Sequence, residues 1–207
     1  YEDTLVTNPV LYGPAGSGAA NEQSITQAQV DNIRNITKTK YGWDPLGVAS
    51  TTESKQENTS LRIDYIVNEN HRLTYNYKLT EGDRLRASGS NSSFYFESAS
   101  YFKGEETDTS SILLVSDWAD NLISEIYWSN KSTDTSQESP AGQDLPNFYI
   151  DDAYGMRVYL GADIYRSANK LATETDFFKG KLTYYTGDHK ITAGYEQTSY
   201  DIYNVFI

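Results

Sequence analysis

The feature that most constrains this chain is a stretch where apolar and polar residues alternate strictly, turn, and alternate again. In Leu61-Arg62-Ile63-Asp64-Tyr65, every second residue is apolar. Asn68-Glu69-Asn70 is a short polar turn, and Arg72-Leu73-Thr74-Tyr75-Asn76-Tyr77-Lys78-Leu79 resumes the alternation. Leu61, Ile63 and Tyr65 fall on one face, as do Leu73, Tyr75, Tyr77 and Leu79. Period two with one apolar face predicts an antiparallel hairpin. The same plan recurs at Ser110–Trp118 and Leu122–Asn130 around Ala119-Asp120-Asn121. It recurs again at Phe178–Tyr185 and Lys190–Gln197 around Thr186-Gly187-Asp188-His189.

Within each hairpin the turn is a few residues long. Between hairpins lie long polar segments, Thr80–Thr109 and Lys131–Asp176. If the strands run up and down, all short turns gather at one end and all long loops at the other, as in transmembrane barrels. Loops of that length count against a compact soluble domain. Met156–Leu160 reads as a further strand inside the second long segment.

The remaining sequence is less regular. Residues 1–23, with Tyr12-Gly13-Pro14-Ala15-Gly16-Ser17-Gly18, read as loop. Ser24 or Thr26 serves as N-cap for a helix over Gln27–Lys40, with Val30, Ile33 and Ile36 at helical spacing and Gly42 as its stop. Trp43–Ser54 reads as loop. The expected division is an outer insertion over 1–53 and a barrel segment over 54–207.

Composition narrows the function classes. Hydrophobic residues are 38% of 207, short of the roughly 45–50% usual for a globular domain. Aromatics make up 14%, with 18 Tyr, a ring suited to surfaces apolar on one side and wet at the rim. The net charge of −12, without a Lys/Arg run, argues against nucleic acid as a partner. With no Cys, disulfides, thiolate metal sites and cysteine nucleophiles are ruled out. The chain opens on Tyr1 without a basic or apolar leader, so no signal peptide is expected in it. No stretch approaches a membrane-spanning helix, but barrel strands escape hydropathy.

Three details point the alternation toward lipid rather than a soluble sheet. The polar face of the first hairpin carries charge at nearly every step, as suits a water-filled or plugged lumen. Tyr and Trp sit near the strand ends of the apolar face, like interfacial girdles. Readable strand lengths lie near the roughly 9–11 residues that cross a tilted bilayer.

Several runs resemble TonB-dependent outer-membrane receptors of the Oar-like branch. Asn58-Thr59-Ser60-Leu61-Arg62-Ile63-Asp64-Tyr65 with Asn68-Glu69-Asn70-His71-Arg72-Leu73, and Ser116-Asp117-Trp118-Ala119-Asp120-Asn121, are similar to barrel hairpins of that family. Gly161-Ala162-Asp163-Ile164-Tyr165-Arg166-Ser167-Ala168-Asn169 is similar to an outer-loop signature. Tyr185-Thr186-Gly187-Asp188-His189-Lys190-Ile191 and Asp201-Ile202-Tyr203-Asn204-Val205-Phe206 also fit. Ile25-Thr26-Gln27-Ala28-Gln29-Val30-Asp31, followed by Tyr41-Gly42-Trp43-Asp44-Pro45, resembles a helical insertion before these strands. The likeness covers Ser24 to the end, and its weight lies in the order and spacing of the runs.

The resemblance implies an all-β fold: an antiparallel up-and-down meander from a transmembrane β-barrel, with long outer loops and one short helix in an insertion. It also implies active import across the bacterial outer membrane. The partners would be outer-membrane lipid, the remainder of the barrel and plug, TonB acting through other parts of the receptor, and an imported ligand. No cofactor and no enzymatic activity are expected. The chain shows no plug and no TonB box, and six main strands cannot close a wide barrel, so a fragment is expected. The alternative is a soluble surface β-sandwich that binds glycans or adheres; a glycoside hydrolase fragment is a poorer third.

The ligand-binding candidates are the loop aromatics Phe94, Tyr95, Phe96, Tyr101 and Phe102, set against a packing role for the same rings. Asp144, Asp151 and Asp152 are oxygen donors of a kind that binds Ca²⁺, but they follow no EF-hand pattern, and a solvated loop explains them. As a glycosidase pair, the adjacent Asp151 and Asp152 would point apart. His189 beside Asp188 reads as turn chemistry, and His71 sits far from it. The Asn-x-Ser/Thr sites at Asn35, Asn58, Asn91 and Asn130 are expected by chance. Gly16-Ser17-Gly18 lacks the context of a phosphate loop.

Overall fold

The computed structural model describes residues 1–167 and 169–206. Strand accounts for 67% of the chain and helix for 10%, so the fold is all-β. The strands are β1 (Glu2–Pro9), β2 (Tyr12–Ala15), β3 (Asn21–Thr26), β4 (Thr51–Asn68), β5 (His71–Arg86), β6 (Ser93–Tyr95), β7 (Tyr101–Ala119), β8 (Leu122–Glu138), β9 (Phe148–Ala153), β10 (Met156–Leu160), β11 (Lys170–Thr186) and β12 (His189–Val205). Helix α1 spans Gln27–Ile36 and the single turn α2 spans Ile164–Ser167.

The main sheet has seven strands in the order β1-β4-β5-β7-β8-β11-β12, every neighbour antiparallel. Three hairpins, β4–β5, β7–β8 and β11–β12, turn at the predicted places. Asn68 fixes the first turn, its Oδ1 accepting the Asn70 N–H at 2.9 Å, an Asx-type closure. Gly187, at φ +54°, supplies the left-handed residue of the third.

The strands are longer than the hydropathy pattern indicates. Each of the six hairpin strands runs 16 to 19 residues. The segments read as long loops, Thr80–Thr109 and Lys131–Asp176, are therefore strand over much of their length. Only residues 87–100 and 139–169 lie between hairpins. The extensions alternate polar with polar, so hydropathy does not mark them. Backbone pairing continues regardless, and the Thr107 and Thr133 hydroxyls add a side-chain contact of 3.0 Å across β7–β8.

Residues 1–23 are not simple loop. β1 pairs with Thr51–Asn58 of β4, which ties the N-terminal span to the sheet across residue 53, and β2 and β3 pair in parallel. Likewise Trp43–Ser54 is irregular only as far as Ser50.

Helix α1 starts on a reciprocal cap. Thr26 Oγ1 accepts the Gln29 N–H, and Gln29 Oε1 accepts the Thr26 N–H, satisfying donors a helix start leaves free. The α-helix ends at Ile36, passes through a π-turn over Thr37–Tyr41 and stops at Gly42, at φ +78°. Its buried side, Val30 and Ile33, joins Ile25, Phe94, Phe96, Met156, Val158 and Leu160 in a small apolar core, flanked by Trp43, Val48, Phe148 and Ala153. This core belongs to a cap at the loop end of the sheet, floored by a second sheet in the order β6-β10-β9. The predicted strand Met156–Leu160 is the middle strand of that sheet.

Candidate functional site

Register divides the main sheet into two chemically different faces. Directly paired residues share a face, so rows can be followed strand by strand. One face carries Tyr65, Leu73, Leu114 and Ile126 in one row and Ile63, Tyr75, Ile112, Trp128 and Phe178 in the next. The other carries Arg62, Asn76, Ser111 and Ser129, then Asp64, Thr74, Leu113, Tyr127, Lys179 and Glu196.

The apolar face is not covered. On the apolar face Ile63 is 52% exposed, Ile126 44%, Leu182 46% and Tyr195 60%. On the polar face Thr74, Ser111 and Thr183 are buried. The polar side chains are crowded together and hydrogen-bonded. Thr74 Oγ1 donates to Asp64 at 2.7 Å, Asn76 donates to Ser111, and Arg62 grips Asp64 through two nitrogens at 2.7 and 3.0 Å. Lys181 pairs with Glu125 at 2.6 Å and Lys179 with Glu196 at 2.8 Å.

The apolar band fills only the turn-side part of its face. Beyond it the same face turns acidic: Glu57, Glu81, Glu106 and Asp134 stand opposite one another on four successive strands. They border an open trough of about 690 Å³ edged by Lys55 and Lys170, and Lys55 is paired with Glu57. Among the described residues no group of three or more His, Asp or Glu is placed to hold a metal. Asp151 is engaged by Arg157 at 2.6 Å, and Asp144 lies in the irregular segment after β8.

The five predicted ligand aromatics do not form one platform. Phe94 and Phe96 are buried in the cap core with ring centroids 5.4 Å apart, edge to face. Alternation on β6 explains the split, since Phe94 points inward and Tyr95 outward. Tyr101 stands opposite Arg86 on the polar face of the main sheet. Phe102 stands opposite Leu85 on the other face.

Tyr95 instead stacks on Tyr159 with centroids 4.5 Å apart and planes 7° from parallel. Tyr149 leans on Tyr159 at 5.8 Å, and the Arg157 guanidinium covers Tyr149 at 4.5 Å. Burial first, and then the neighbouring Tyr159, push the Tyr95 phenol above its ordinary value. The ring faces are largely occupied by one another, so the row offers edges and hydroxyls more than open faces. Strict alternation in Met156-Arg157-Val158-Tyr159-Leu160 marks Arg157 and Tyr159 as sharing one face of the strand; their place beside Tyr95 comes from the pairing of β10 with β6.

The cap is tied together by polar groups that sequence reasoning missed. The fully buried Ser98 accepts the Gly161 N–H on Oγ at 3.1 Å, donates its own N–H to Pro45 O and accepts Ser139 Oγ–H on its carbonyl at 2.8 Å. Asp44 accepts two bonds from Arg34, at 2.7 and 2.8 Å, and the Leu46 N–H at 2.9 Å; Lys38 lies 3.0 Å away. The Arg34 hydrogen bonds, with lesser help from Lys38 and the Leu46 N–H, hold the Asp44 carboxyl well below the usual carboxylate range. Of the outer-loop run Gly161–Asn169, Ile164–Ser167 form α2 and Ala168 lies outside the described residues.

No family model, no curated protein and no solved structure matches this chain.

Proposed function

We propose that this chain is a wall segment of a bacterial outer-membrane TonB-dependent receptor, a non-enzymatic protein that binds a substrate outside the cell and imports it. The observation that carries this reading is the uncovered apolar face of the sheet. A face of Leu, Ile, Tyr, Trp and Phe stands open, while the other face is charged and internally paired. Lipid is the solvent that accepts the first face, and a lumen with the rest of the receptor accepts the second. A soluble sandwich would need a second sheet across the apolar face. Among the described residues, the other sheets belong to the cap at the loop end.

The topology supports the same reading. All three tight turns lie at one end and the cap at the other, matching short periplasmic turns and long outer loops. The free outer edges of β1 and β12 are where further strands of a wider barrel would pair, since an unpaired backbone edge is not tolerated in hydrocarbon. No helix among the described residues is long and apolar enough to cross a membrane, so any crossing would be made by strands.

The test is fractionation of the source cells, probed with an antibody against this segment. Recovery in the detergent-extracted outer membrane, within a longer polypeptide, is the expected result. Recovery as a soluble chain of this size would sink the reading.

A further inference from the structure

We infer that the polar face carries a binding site for a compact oxyanion, a phosphate or carboxylate group of a solute, built on Arg84 of β5 and Lys103 of β7. The two residues are direct cross-strand partners, so they share a face with their side chains adjacent. Like charges placed directly opposite destabilise a sheet. Among the described residues neither makes an ion pair within 4 Å. The contrast with the rest of this face is sharp. Nearer the turns, Asp64, Glu125 and Glu196 are each matched to a cation.

The pair also lines a cavity. A space of about 280 Å³ is bounded on this face by Ser54, Gln56, Thr80, Gly82, Arg84, Lys103 and Glu105, with Lys55 and Asp83, whose side chains belong to the other face by alternation, also at its border. Ser54 extends the Arg84–Lys103 row on β4, while Gln56 and Gly82 form the next row. Gly82 lacks a side chain where one would fit without collision, 3.7 Å from the nearest backbone oxygen; the space above it is therefore left open. Glu105, opposite Gly82, is the single carboxylate of this face at the cavity among the described residues, and Arg86 continues the cationic face two residues beyond Arg84. The Thr80 hydroxyl and the Gln56 amide already donate to Asn58, so the donor set for an oxyanion is the Arg84 guanidinium fork, the Lys103 ammonium and the Ser54 hydroxyl. A polyanionic solute meets cations here although the whole chain carries −12.

The site rests on register and side chains; joined to the import reading above, it gives the cargo a chemical class. The test uses the full-length protein in detergent, with inorganic phosphate as probe against chloride at equal ionic strength. Phosphate is expected to raise the melting temperature and broaden the ³¹P resonance. Arg84→Gln or Lys103→Gln is expected to weaken the affinity about tenfold, the loss of one charge-assisted hydrogen bond. Either substitution should also raise the melting temperature without phosphate, by relieving the repulsion. Lys78→Gln, on the same face nearer the turns, should change neither. Absence of phosphate binding, or equal loss with Lys78→Gln, overturns the proposal. So does binding that appears only after an acidic segment of a longer chain is removed, because that segment would then be the occupant. Phosphate binding by a protein recovered as soluble would uphold this site and sink the import reading. Outer-membrane recovery without phosphate binding would do the reverse.

Discussion

Trp128 of β8 and Phe178 of β11 are direct cross-strand partners, and each is 39% exposed on the apolar face. In water such a pair would be a liability in a row that also holds Ile63, Tyr75 and Ile112. In a bilayer it lies in its own solvent. Trp128→Arg is therefore expected to reduce the stability of the folded protein in lipid vesicles by about 1–2 kcal/mol, between the costs of a cation at the bilayer midplane and at the interface, because the next row outward, Ser110, Asn130 and Asp176, is polar. Ser129→Arg, one residue on and facing the polar side, should cost far less. Urea titration in vesicles measures both. Equal, small effects would mean that the apolar face does not meet lipid.

Gly161 gives a prediction of another kind. A β-carbon there would lie 1.8 Å from the Pro146 carbonyl oxygen, and its backbone sits at φ +79°. Both the clash and the conformation oppose any side chain. Gly161→Ala should loosen the cap, and the Ser98–Gly161 hydrogen bond should be among the first to break. Hydrogen exchange would report faster exchange over Phe94–Ser100 and Met156–Leu160, with β11–β12 unchanged. Ser98→Ala should have a milder effect of about 1–3 kcal/mol, the cost of leaving a buried N–H unmet.

Asp44 makes cap stability depend on pH. Its carboxyl is depressed in the folded protein, chiefly by Arg34. A depressed carboxylate contributes stability that is fully present above its unfolded value, roughly pH 4, and is lost as pH falls through the lower folded value. The cap should therefore weaken below about pH 4. Asp44→Asn should remove that dependence and cost about 1–2 kcal/mol at neutral pH, since the pair is charge-assisted but partly open to solvent. Thermal melts of both proteins between pH 3 and 7, an interval around the ordinary carboxylate value, check this. Parallel curves would show that Asp44 is not the titrating group.

Legibility followed the physics of each element. The hairpins were readable because Leu61–Tyr65 and Arg72–Leu79 alternate apolar with polar, and Asn68 and Gly187 mark turns by local chemistry. The helix start was readable because Thr26 and Gln29 cap within one turn. β1 and the outer halves of the long strands were not readable. Lys131–Glu138 is polar on both faces, Glu81–Arg86 has a single apolar residue in Leu85, and Glu2–Pro9 has one on each face in Leu5 and Val6; none shows an alternating stripe, and all take their conformation from partners distant in sequence. The cap core was hidden for a related reason: Ile25, Phe94 and Val158 come from three separate segments, and neither a period nor a motif joins them. The Arg84–Lys103 pair depends on a register of two strands that no local pattern sets.

The cap aromatics should separate cleanly under mutation. Phe94 is almost fully buried and packs against Phe96, so Phe94→Ala is expected to cost about 3–5 kcal/mol, the range for a core Phe. Tyr159 stands on the outward side of the same small sheet, held by stacking on Tyr95. Tyr159→Ala removes that stacking, worth about 0.5–1.5 kcal/mol beyond area, and leaves the core beneath intact. Cap-specific proteolysis measures the two effects, and under the import reading proposed above uptake of a cargo is the functional readout. If Tyr159→Ala abolishes uptake at nearly unchanged cap stability, the tyrosine row contacts cargo. If both variants lose uptake only in proportion to cap unfolding, these rings act by packing alone and cargo contact must be sought on the polar face.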